Sequence, residues 1–141
     1  MKRLLASLCL TALMAGCAGS STVTVGGRPV SIPTDAAEEH EKLIENIGIY
    51  DDPELQAYID EIGARLVANS SMPNQEFTFT LLDSPDINAF ALPGGLIYIN
   101  RGLLAYLDSE AELAGVIAHE IGHITERHHS RRRTQTITNQ V

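Results

Sequence analysis

The stretch that most constrains this chain is Ser109 to His129, SEAELAGVIAHEIGHITERHH, which reads as one long helix. Ser109 and Glu112 form an S-x-x-E capping box, and Leu113, Val116, Ile117, Ile121 and Ile124 recur at three- and four-residue steps, the period of a buried helical face. The same stretch holds His119, Glu120 and His123 in the spacing His-Glu-x-x-His. One helical turn separates the two histidines, so their Cβ atoms stand about 5–6 Å apart and both imidazoles can reach one ion. Glu120 is rotated by about 100° from His119. It therefore flanks such an ion and can take a proton from water there, the general-base position of a metalloprotease.

Neutral imidazole suits zinc, and a catalytic zinc site uses three protein ligands with one position open. The motif supplies His119 and His123 as ligands, leaving the third to be found. Gly115 and Gly122 interrupt the helical pattern at about 1 kcal/mol each, which points to close packing against them.

A chain of 141 residues with 44% hydrophobic content allows one domain with a real core. Met1 to Gly16 has the form of a signal peptide: Lys2 and Arg3, an apolar run from Leu4 to Met14, then small residues. That run is too short to span a membrane. Leu13-Met14-Ala15-Gly16-Cys17 resembles the lipobox of bacterial lipoproteins, which implies acylation of Cys17, and Ala18 in the next position favours the outer membrane. With Cys9 removed alongside the signal, no disulfide can form within the mature chain. The net charge of −8, or −10 without Lys2 and Arg3, argues against nucleic acid as a partner. The basic run Arg131 to Arg133 is read as solvated or as a complement to the helix dipole.

Ala18 to Thr34 is rich in Ser, Thr, Gly and Pro and reads as a flexible tether, so the domain is placed at 35–141. A first helix is expected from a cap at Thr34 or Asp35 to near Gly48, with Glu38, Glu39 and Glu41 on its solvated face. Asp52 and Pro53 open a second, through Leu55, Ile59, Ile62 and Leu66 to about Ala68. Strands are expected at 76–82, 87–92 and 96–100, and their short connections suggest a small antiparallel sheet; a short helix, 102–107, follows. The fold class is α+β.

Three motifs in order, Asn88-Ala89-Phe90-Ala91-Leu92-Pro93-Gly94-Gly95, Asn100-Arg101-Gly102-Leu103-Leu104, and Glu112 through His123, resemble metallopeptidase family 48. The resemblance covers roughly residues 35–133. It implies a zincin-type domain of the gluzincin kind, zinc held by His119 and His123, and Glu120 as the base. It also implies a cleft lined by Asn88, Ala89, Phe90 and the strand 96–100, where a substrate pairs with a sheet edge. Asn88 and Phe90 read equally well as a turn residue and a core aromatic. Protein substrates follow, misfolded or misassembled proteins of the bacterial envelope, met on the periplasmic side.

The chain departs from the family in one respect. The family's third ligand is a Glu from a Glu-x-x-x-Asp motif on a later helix, and no such motif follows His123. Glu126 lies one turn too far along the helix, and His129 sits about 280° around from His119, off the metal face. The simplest expectation is a third ligand beyond Val141, in a chain that ends within the catalytic domain. Two alternatives remain: a chaperone-like module with an incomplete site, and a structural lipoprotein with a chance motif.

Overall fold

The computed structural model describes residues 19–25 and 27–138, with side chains as far as Glu126. The expected signal peptide, Cys17, and the side chains of His128, His129 and Arg131 to Arg133 lie outside the described residues.

Within the stretch 18–34 expected as a tether, the described residues form a hairpin. Ser20–Val25 (β1) and Arg28–Pro33 (β2) pair antiparallel, with Ser20 opposite Pro33 and Val25 opposite Arg28. Val23, Val25, Val30 and Ile32 alternate with polar residues and Pro29, and all four are buried. This buried face overrides a composition that otherwise suits a linker. Helix α1 (Thr34–Asn46) follows directly. The expected cap at Thr34 or Asp35 is displaced: Pro33 occupies the cap position with no side-chain bond. The Thr34 N–H donates to the Gly19 carbonyl at 3.1 Å, and its hydroxyl accepts from Ser21 at 3.1 Å. Ala36, Ala37 and His40 face inward, and Glu38, Glu39 and Glu41 stand in solvent.

Helix α2 (Pro53–Ala68) has the expected bounds, because Asp52 accepts the Leu55 N–H at 3.0 Å and Pro53 supplies a preset φ in the first turn. Strands β3 (Thr78–Leu82), β4 (Ala89–Leu92) and β5 (Leu96–Asn100) form one sheet in the order β3-β5-β4. This sheet is mixed rather than antiparallel. β4 returns along β5 through the tight Pro93-Gly94-Gly95 turn, while the 83–88 connection carries the chain across β5, leaving β3 parallel to it. Buried on both faces, β5 reads as the continuous run Leu-Ile-Tyr-Ile-Asn.

That central strand divides the interior into two clusters. Ile97 and Ile99 pack with Ile59 and Ile62 of α2 and with Leu113, Ile117, Ile121 and Ile124 of α4 (Glu110–Thr138). Leu96 and Tyr98 pack on the other face with the hairpin valines, Ile32, Ala36 and Ala37. Helix α3 (Arg101–Tyr106) links β5 to α4.

The β4–β5 turn shows why its glycines are needed. Gly95 has φ +92°, and a Cβ there would stand 2.2 Å from the Glu76 carbonyl oxygen. Gly95→Ala is expected to cost about 2–4 kcal/mol, more than an ordinary surface change, because strain and overlap act together. A denaturant midpoint unchanged from wild type would contradict this.

Candidate active site

Helix α4 sets the site. One half of its capping box forms, the Glu112 N–H donating to Ser109 Oγ at 3.3 Å, while the Glu112 carboxylate reaches one residue further back and accepts the Asp108 N–H at 2.7 Å. Glu110 is held from α2 by the Tyr58 hydroxyl at 2.8 Å and by the Arg65 guanidinium at 2.7 Å. Both contacts are solvent-exposed, and they lower the Glu110 pKa, the Tyr58 hydrogen bond first and Arg65 second. No sequence signal marks this clamp, since Tyr58 and Arg65 look like ordinary surface residues of α2.

With Leu113, Ile117, Ile121 and Ile124 turned to the sheet, His119 and His123 emerge at the exposed flank and Glu120 sits at the boundary, 8% exposed. The two Nε2 atoms are 3.0 Å apart, with ring planes at 79°. Candidate ligand atoms of His119, Glu120 and His123 all lie within 4.8 Å of one another. Two nitrogens bound to one tetrahedral ion at about 2.0–2.1 Å would stand roughly 3.3–3.4 Å apart, so a few tenths of an ångström of opening suffices. Two imidazoles are donors suited to zinc, and a carboxylate flanking them is suited to taking a proton from water held there. Among the described residues Glu120 has no ion-pair partner. Glu126 is exposed and is not part of this group.

Gly115 and Gly122 do not serve close packing against the described residues. A Cβ at either would meet nothing within 4 Å.

β4 lies beside α4 at the edge of the sheet. The Asn100 N–H donates to the Asn88 carbonyl at 3.0 Å, so Asn88, Phe90 and Leu92 face β5. The backbone groups of Ala89 and Ala91 then point to the open edge. Asn88 is exposed and Ala89 packs toward the α4 cluster. Phe90 takes the opposite face, stacked on Tyr98 with ring centroids 5.1 Å apart. Its side chain is therefore partly buried against the hairpin-side core, as alternation along a strand dictates once Ala89 and Ala91 face α4. The other edge, β3, is partly closed: the Gln56 amide donates to the Phe79 carbonyl and accepts the Leu81 N–H, each at 3.1 Å.

Residues 53–141 match the sequence model of Peptidase family M48. The chain belongs to peptidase family M48, a family of metallopeptidases. Among its relatives is the putative beta-barrel assembly-enhancing protease of Vibrio cholerae, 45% identical over 89 residues, or 63% of this chain and 18% of the relative. The beta-barrel assembly-enhancing protease of Yersinia pestis is 48% identical over 80 residues, 57% of this chain and 16% of its own length. The mitochondrial metalloendopeptidase OMA1 of Schizosaccharomyces pombe is 35% identical over 71 residues, 50% of this chain and 21% of that protein. The aligned part of this M48 chain thus corresponds to less than a quarter of each of these relatives.

Proposed function

We propose that this M48 chain carries the metal-binding helix of a zinc metalloendopeptidase that cleaves proteins of the bacterial cell envelope. The observation that carries the reading is the convergence of the His119 and His123 Nε2 atoms, 3.0 Å apart, beside the carboxylate of Glu120. His119 and His123 would hold zinc, with a third protein donor from outside the described residues. Bound zinc supplies Lewis-acid polarisation of a carbonyl and acidifies water.

The chain's own residues do the rest. The Ala89 and Ala91 backbone groups pair with an extended substrate at the β4 edge, laying it beside α4. Glu120 accepts a proton from the attacking water as its oxygen bonds to the scissile carbonyl carbon. It returns that proton to the leaving amine nitrogen as the C–N bond breaks. The relatives named for beta-barrel assembly support substrates among envelope proteins, misfolded or misassembled ones on this reading. In the protein with its third donor in place, treatment with a chelator should abolish cleavage of an unfolded polypeptide, and one equivalent of zinc should restore it. Cleavage that survives chelation would overturn the reading; tight zinc binding without turnover would favour a chaperone-like module.

Attachment to the envelope is assigned to Cys17. No helix among the described residues is long and apolar enough to cross a membrane. Acylation of Cys17 would supply the hold, and several acyl chains anchor firmly where one does not. Cys17→Ser is expected to move most of the protein from the membrane fraction to the soluble one. Retention at the wild-type level would count against the anchor.

A further inference from the structure

The family match begins at residue 53, so β1, β2 and α1 lie outside it, yet they cover the sheet face opposite α4. At the centre of that face His40 Nδ1 lies 2.7 Å from the Tyr98 hydroxyl, both residues buried. Burial holds the Tyr98 phenol protonated, well above its ordinary pKa, and burial likewise lowers the His40 pKa below 6.5, against smaller opposing effects of the Thr24 backbone and Glu41. The Thr24 backbone bond that raises the His40 pKa fits a ring N–H donated there, which assigns Nδ1 as the acceptor of the Tyr98 O–H. Tyr98 stands directly opposite Phe90 in the ladder, and the two rings stack at 19°. The contact thus runs from α1 through β5 into β4.

β4 is short, four residues long, and has one ladder partner. Toward α4 it offers only Ala89 and Ala91; its large side chains, Phe90 and Leu92, belong to the hairpin side. Phe90 on Tyr98 is thus the main side-chain hold on β4, since aromatic area outweighs a methyl group.

We infer that the His40–Tyr98 pair is a positioning device for β4: by fixing the ring on which Phe90 stacks, it holds in place the edge that receives an extended polypeptide. This rests on the reading of β4 as the substrate strand. The charged groups near His40 are few. Glu41 and Glu45 of α1 line the same groove, Glu39 acts on Tyr98, and β1 contributes only Thr22, Val23 and Thr24. Because the folded pKa of His40 lies below the unfolded value, the unfolded chain takes up the proton first as pH falls through about 6.5. The hold on β4 is therefore full above that pH and weakens as pH falls toward the folded pKa.

Amide hydrogen exchange at Phe90 and Leu92, whose N–H groups face β5, tests this, with Ile59 and Ile117 in the other core as references. Tyr98→Phe keeps the stacked ring and removes the hydroxyl. It should speed exchange at Phe90 and Leu92 about fivefold relative to the references and raise KM for an unfolded polypeptide by a similar factor, with kcat unchanged. Acidification from about pH 7 to about pH 5 should loosen β4 selectively in the wild type. His40→Asn, which keeps an acceptor near the Nδ1 position and does not titrate, should preserve protection and lose that pH dependence. Exchange that is unchanged, or faster in both cores alike, would overturn the proposal, and so would selective loosening with KM unaltered. Selective loosening in a protein that has its third zinc donor and still cleaves nothing would keep the hold on β4 while overturning the protease reading.

Discussion

Glu120→Gln is expected to leave the fold and the metal content near wild type and to slow peptide-bond cleavage by roughly 10²–10⁴-fold, the range for loss of a positioned general base. The amide matches the carboxylate in shape and still fits the boundary position, where only 8% of the residue is exposed. It has no basic oxygen to accept the water proton. Removing a largely buried carboxylate that has no ion-pair partner among the described residues is expected to cost little stability. The check is kcat on an unfolded polypeptide alongside zinc content and thermal midpoint. Cleavage at the wild-type rate would remove Glu120 from the mechanism.

His123→Ala is expected to act on metal affinity instead. Groups that merely orient a metal ligand are worth about 10- to 100-fold in affinity, so loss of the ligand itself should exceed about a hundredfold. His119→Ala should match it, because the two Nε2 atoms lie 3.0 Å apart and converge on one position. Both rings are exposed, so neither change should lower stability much. Zinc retained at one equivalent against a competing chelator would place the ligands elsewhere.

The helices that build the site were legible because their signals are local. Asp52 and Pro53 mark the start of α2, and the Ser109–Glu112 box and the Leu113, Ile117, Ile121, Ile124 stripe fix the start and buried face of α4. The hairpin was misread because its composition outweighed its pattern. Val23 and Val25, then Val30 and Ile32, alternate on either side of Gly26-Gly27, a hairpin signature that the surrounding Ser, Thr and Pro obscured. Strand order is a different matter. That β5 inserts between β3 and β4 depends on contacts distant in sequence, so the parallel β3–β5 pairing had no local mark.

Phe90 shows the same limit: its motif allows either a cleft residue or a core aromatic, and only the parity of β4 against α4 shows that its ring lies on Tyr98. His40 was likewise invisible as a partner, 58 residues from Tyr98 in sequence. The spacing of His119, Glu120 and His123 placed them together because one helical turn fixes their geometry.

X-ray absorption at the zinc edge of the zinc-loaded protein tests the central claim most directly. Two imidazole nitrogens at about 2.0–2.1 Å are expected, with the remaining donors oxygen, and paired His119→Ala and His123→Ala changes should erase the imidazole signal. Sulfur donors at about 2.3 Å, or an imidazole signal that survives both changes, would contradict it.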